Sequence, residues 1–245
     1  MTAKNLLGIF DSGIGGFSVY KEIRKNTTAD ILYYGDCARA PYGNKTEEEI
    51  VLYIKEILQY LASKGVSQYI SACNSMSVLT TKTLLKDVGI SEENYFDMIS
   101  AVDHVPVHSI KKVLIIGTVA TIRQEIYQNI FSSKNISYEV CTPITLAGNI
   151  EKGDIALITE DCKTIIAIAK KVHATHILYA CTHYPLAHEY FLEAATLQTW
   201  SGVFIDPAIY LGQIISNLAI TGKENSIFET SLITEGFVRC VKKYQ

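Results

Sequence analysis

The sequence contains six cysteines (Cys37, Cys73, Cys141, Cys162, Cys181 and Cys240) but no C-x-x-C pair. This irregular spacing argues against a disulfide framework and against the short paired ligand spacings of structural zinc. No apolar run reaches the roughly 18 residues that a membrane helix needs. Neither sign of charge forms a long block, so no membrane or nucleic-acid surface is expected. The opening stretch brings in an acid at Asp11 and lacks a signal-peptide cleavage pattern, which sets the expectation of a cytoplasmic protein. Two glycine fingerprints are missing as well. Counted from Gly13, G-x-G-x-x-G would need glycine where Ser18 stands, and no Gly-Lys-Ser/Thr closes a Walker loop. What remains is a globular composition: 245 residues, 48% hydrophobic, 19% charged, formal net charge −3. That length suits one large α/β domain or two small ones.

Short apolar runs alternate with helical patterns along the chain. Strands are expected at "LLGIF" (6–10), "ILYY" (31–34), "QYISA", "KVLIIG", "ISYEV", "HILYA" and "VFID". Helices are expected over "GGFSVYKEIRK", 46–64, 121–132, 161–172 and 185–195. The clearest is 46–64: Thr46 and Glu49 form a capping box, Ile50, Ile54, Ile57, Leu58 and Leu61 share a face, and Gly65 stops it. Asp206-Pro207 has the chemistry of an N-cap followed by proline at the first helical position. Strands alternating with helices predict mainly parallel sheets covered on both faces.

Two motifs recur at nearly one interval. "GIFDSG" and "LIIGTVAT" lie about 107 positions apart, and Cys73 in "ISACNS" precedes Cys181 in "LYACTH" by 108. The repeat predicts two similar α/β domains, 1–99 plus 207–245 and 100–206, facing each other. It places one cysteine on each wall of a cleft at the carboxyl ends of strands, where such sheets bind ligands. Cys73 precedes Asn74 and Ser75 at a helix start, a setting that favours thiolate. Alternation along an extended segment puts His183 on the same side as Cys181. "DSGIGG" is a strand-to-helix turn whose N–H groups suit an anion, and "APYGN" is a candidate binding loop. Other chemistries compete. Cys73, Cys181, His183 and Asp11 could make a zinc site, and Cys181 with His183 could act as a nucleophile–base couple, which leaves the second thiol without a role.

"GIFDSGIGG", "YYGDCARAPYGNKTEEEI", "ACNSMS", "IIGT" and "ACTHYPL", in this order and spacing, resemble the glutamate racemases, cofactor-independent members of the aspartate/glutamate racemase group. The resemblance covers nearly the whole chain. It implies two pseudo-symmetric α/β domains with the active site between them, a homodimer, no metal and no cofactor. By resemblance, Cys73 acts on D-glutamate and Cys181 on L-glutamate, each as base in one direction and acid in the other. Asp11 matches the acid near the first thiol and His183 the partner of the second. Ser12, Pro41, Tyr42, Gly43, Asn74, Ser75, Thr118 and Thr182 match substrate-binding positions, and Glu151 matches an acid placed beside the histidine. The implied role is supply of D-glutamate for bacterial peptidoglycan.

Some positions depart from the family pattern. Met76 replaces a small residue next to the first cysteine and is expected to turn into the helix packing. Cys37 replaces a threonine or serine in the "GD" loop, and 100–110 lacks the usual proline-glycine context. These leave two alternatives: a two-cysteine isomerase acting on aspartate or another small acid, and a catalytically inactive binding homologue.

Overall fold

The seven expected runs all become strands, the central ones buried on both faces as parallel strands are, and two strands not expected, Tyr95–Asp97 and Ser226–Thr230, join them at the edges of one sheet. In the computed structural model, which describes residues 5–244, these are β1 (Leu6–Asp11), β2 (Asp30–Gly35), β3 (Gln68–Ser71), β4 (Tyr95–Asp97), β5 (Lys112–Gly117), β6 (Ser137–Cys141), β7 (His176–Ala180), β8 (Val203–Ile205) and β9 (Ser226–Thr230). Residues 1–4, part of the opening stretch read above for a leader pattern, lie outside the described residues.

The strands form two all-parallel sheets, in the orders β4-β3-β1-β2-β9 and β6-β5-β7-β8. Read from the other edge, the second sheet repeats the first strand for strand, with β9 as the addition. β1 opens at residue 6 and β5 at 112, β2 at 30 and β6 at 137, β3 at 68 and β7 at 176, β4 at 95 and β8 at 203. The offset of 106 to 108 residues is the interval separating the sequence motifs. The fold is α/β, built twice over.

Helices fill the connections. Glu47–Ser63 carries both halves of its capping box, with Glu49 N–H donating to Thr46 Oγ1 at 3.2 Å and Thr46 N–H to Glu49 Oε2 at 2.9 Å. The helix Pro207–Ser216 follows β8 yet packs against Phe17–Arg24 and Met98–Val102, beside the first sheet. One buried cluster runs through both halves, joining Leu7, Ile9, Phe17 and Tyr33 to Leu114, Ile165 and Tyr179.

Several expected helices are corrected. The 121–132 segment is two helices, Val119–Arg123 and Ile126–Ser133, broken at Glu125, whose φ of 55° no right-handed helix accommodates. Gln128 Nε2 donates to the Ile122 carbonyl across that break at 2.7 Å. The 161–172 helix begins earlier, at Ile155, because Asp154 caps it by accepting from Leu157 N–H at 3.1 Å. Its first turn exposes Ile155 and Leu157, which breaks the apolar periodicity there. At 185–195 a 3₁₀ turn, Tyr184–Ala187, comes first, and the α-helix is His188–Leu197. Among the described residues no helix is long and apolar enough to cross a membrane.

Candidate active site

Both cysteines sit where a central strand stops. Cys73 follows β3 as the N-cap of the short helix Asn74–Ser77, and Cys181 directly follows β7. Since β3 and β7 are equivalent strands, the two thiols occupy equivalent places. They line one cavity of about 280 Å³. This lies just below the roughly 300–1,000 Å³ typical of small-molecule sites, a size suited to a compact metabolite.

Ser12, Pro41, Tyr42, Gly43, Asn74, Ser75, Thr118, Glu151, Thr182 and His183 line the same cavity. Asp11 does not. It is fully buried at the end of β1, where Oδ1 accepts from Gly13 N–H at 2.8 Å and Oδ2 from the Thr182 hydroxyl at 3.0 Å. The carboxylate thus ties the first strand–helix turn to the loop carrying Cys181. Burial pushes its pKa above the ordinary carboxylate value, against the opposing field of His183 and these two hydrogen bonds.

The two thiols have unlike surroundings. Cys73 Sγ donates to Ser12 Oγ at 3.6 Å. Burial and the nearby Asp11 push its pKa up to about 12, outweighing the Met76 N–H at the helix start and the Ser12 hydroxyl. This corrects the expectation that the helix N-terminus favours a thiolate there: four residues of helix supply too little field to offset desolvation. Cys181 instead faces His183 Nδ1 at 3.9 Å, while His183 Nε2 lies 2.8 Å from Glu151 Oε1. Burial disfavours the imidazolium, but the partners Cys181 and Glu151 outweigh it and raise the His183 pKa well above its ordinary value. For Glu151, burial is likewise outweighed, by His183, the Ile14 N–H and Arg239, and its pKa is lowered. The pair is an imidazolium held against a carboxylate.

His183 reaches Cys181 by a route other than the one expected. At φ −70° and ψ −35° it begins a helical turn rather than extending the strand, and Tyr184 N–H donates to the Cys181 carbonyl at 3.2 Å. The turn, not side-chain alternation, folds the ring back.

Hydroxyls cross the seam between the sheets. Ser75 Oγ meets Thr118 Oγ1 at 3.0 Å and Thr121 Oγ1 at 3.3 Å. Tyr127 donates to Asn74 Oδ1, which fixes the amide, and Asn74 Nδ2 is buried with no hydrogen-bond partner among the described residues. An unpaired buried donor calls for an acceptor. Tyr42 donates to Asp36, which also takes Arg39 and the Ser231 hydroxyl, so the 40–43 loop is anchored from behind.

Ala40 of the "APYGN" loop lines the cavity too, and so do Cys37, Ala147, Gly148 and Lys152, which were not singled out as binding residues. Lys152 is the one lysine or arginine of that lining. The sequence signal for Cys37 was its place in the loop before "APYGN"; Ala147, Gly148 and Lys152 lie on Leu146–Lys152, a helix not expected at all. Among the described residues, no three His, Cys, Asp or Glu side chains are grouped to hold a metal ion.

Met76 is fully buried among Phe10, Tyr42, Ile50 and Ile54 and does not line the cavity. Met76→Ala is therefore expected to cost about 2–5 kcal/mol of folding stability while leaving KM within about twofold of the parent. Denaturant titration and substrate kinetics on one preparation check this. A large change in KM with unaltered stability would place the side chain in the site instead.

No protein-family model matches the chain. It is 32% identical over 209 residues to the glutamate racemase of Helicobacter acinonychis (strain Sheeba), covering 79% of each protein. The chain belongs to the glutamate racemase family. In fold this family member is similar to the crystal structure of the Francisella tularensis glutamate racemase in complex with D-glutamate: TM-score 0.84, 24% identity, 99% of this chain and 94% of that one. A glutamate racemase of Bacillus anthracis is similar to the same degree, with TM-score 0.85, 24% identity and coverage of 99% and 94%.

Proposed function

We propose that this chain is a cofactor-independent racemase that interconverts L- and D-glutamate, using Cys73 and Cys181 as the proton-handling groups. The observation that carries the reading is the placement of one thiol at each of two equivalent strand ends around a single small cavity. Inverting a stereocentre requires a proton to leave one face and another to arrive on the opposite face, and two opposed acid–base groups do so without turning the substrate.

Cys181 removes the Cα proton of L-glutamate while Cys73 delivers its own to the other face; the reverse reaction exchanges the roles. Cys73, which keeps its proton at neutral pH, suits the acid role on its side. The protonated His183 ring donates from Nδ1 toward Cys181 Sγ, and Glu151 holds the ring in place. Asp11 supports both sides through Gly13 and Thr182. No cofactor delocalises the carbanion in this scheme, so donors placed around the α-carboxylate must stabilise it as charge develops. Ser12, Asn74, Ser75, Thr118 and Thr182, with the backbone of Pro41, Tyr42 and Gly43, supply that ring of donors and walls.

The same reading takes residues 1–99 plus 207–245 as one domain and 100–206 as the other, supported by sheet membership and the packing of Pro207–Ser216. It extends to a cytoplasmic homodimer supplying D-glutamate for peptidoglycan, on the strength of family membership.

Purified protein incubated separately with L-glutamate and L-aspartate in D₂O is expected to racemise glutamate faster. Solvent deuterium should be found at Cα of the product enantiomer. Faster turnover of aspartate, or product retaining all of its original Cα hydrogen, would overturn the proposal.

A further inference from the structure

The C-terminal helix Glu235–Tyr244 lands on Glu151. Gly236 and Arg239, three residues apart and so on one face of the helix, make the contact. A Cβ at Gly236 would lie 2.8 Å from the Glu151 carbonyl oxygen and 3.2 Å from Glu151 Oε2, so only glycine lets the helix approach this closely. Arg239 Nη2 donates to the same carbonyl at 2.7 Å. That oxygen belongs to the last turn of Leu146–Lys152, where helix carbonyls lack intrahelical donors and a cation complements the helix dipole. Gly153 follows at φ 74°, with the Arg239 guanidinium lying across it: a Cβ there would come within 3.2 Å of Nη2. From Glu151 the chain of contacts continues through Oε1 to His183 Nε2, and from His183 Nδ1 to Cys181 Sγ.

We propose that Arg239 is a positioning residue for the racemisation chemistry: by clamping the Glu151 main chain it fixes the carboxylate that orients His183 against Cys181. This rests on the two-thiol reading above. The titratable groups that face His183 are Glu151, Cys181, Asp11 and, from the terminal helix, Cys240. Arg239 reaches the ring only through Glu151. Losing the clamp loosens the carboxylate, and a loosened partner holds the imidazolium less strongly, so the ring gives up its proton at lower pH. The direct field of the exposed guanidinium is screened by solvent and salt and opposes this only weakly.

The test uses the full chain with Arg239→Gln and Arg239→Lys. Three quantities are measured: the NMR titration of the His183 ring, the pH profile of kcat/KM for glutamate, and the thermal midpoint. Arg239→Gln is expected to lower kcat/KM about tenfold. The His183 titration and the alkaline limb of the rate profile should both move to lower pH, with the thermal midpoint changed by no more than a few degrees. Arg239→Lys, which keeps a cationic donor, should recover most of the rate and of the titration. An unmoved His183 titration in Arg239→Gln overturns the proposal. So does a rate loss that tracks the thermal midpoint and leaves the pH profile in place, since that is a structural role only. Failure of the two-thiol reading looks different: the parent would not racemise glutamate, or Cys181→Ala would remain active, while the His183 titration would still decide the clamp.

Discussion

Cys181→Ala is expected to slow glutamate racemisation by about 10³-fold, the scale of a positioned acid–base group, while still exchanging the Cα hydrogen of one enantiomer. With Cys181 removed, Cys73 still faces its own side of the cavity and can take the D-enantiomer's proton and return one to the same face. Thiol protons exchange with solvent, so in D₂O D-glutamate should gain deuterium without inversion while L-glutamate stays protiated. Cys73→Ala should show the mirror result. Because Cys73 holds its proton up to about pH 12, its thiolate fraction grows about tenfold per pH unit below that value, and exchange in Cys181→Ala should rise in step. Loss of the Cα–H signal by NMR and chiral separation of the same samples measure exchange and inversion together. Both enantiomers exchanging alike in each single variant would remove the assignment of one thiol to each face.

The second large effect comes from a residue with no side chain. Gly15 lies in the turn after β1, and a Cβ built there would sit 2.5 Å from His183 Nδ1 and 2.6 Å from Thr182 Oγ1. The imidazole cannot stay where it is against a methyl group at that distance. Displacing it breaks the approach to Cys181 and weakens the Glu151 pair, and Thr182 is pushed off Asp11. A misplacement of about 1 Å can cost about 10²-fold, so Gly15→Ala is expected to lower kcat/KM about 100-fold with the far-UV circular dichroism unchanged. Parent-level activity would mean that the turn and the histidine are not packed this tightly when the enzyme works.

Much of this fold is legible in the residues because its central strands are buried on both faces. β1, β5 and β7 therefore stand out as unbroken apolar runs. β9 is missed for the opposite reason: "SIFET" is a half-covered edge strand with Ile227 exposed and glutamate at its fourth position. The site shows the same division. Cys73 and Cys181 are legible as a pair because the repeat sets them at one interval. Glu151 could be placed only by resemblance, since its helix Leu146–Lys152 contains a mid-helix glycine and follows a loop with no strong cap. The Cys73 environment is not local at all. Its helix start is visible in the sequence, but the burial and the Asp11 carboxylate that decide its proton affinity come from elsewhere in the chain.

The order in which the strands are made bears on when the enzyme can first act. The second sheet is one continuous stretch, from Lys112 to Ile205, but the first waits for β9 at Ser226–Thr230 to pair with β2. Arg239 and Gly236, which seat Glu151, are translated later still. A nascent chain paused on the ribosome before residue 226 already holds both thiols and His183, yet lacks the edge strand and the helix that brace them. Stereochemical competence is thus expected to arrive with residues 226–239 rather than with the cysteines themselves.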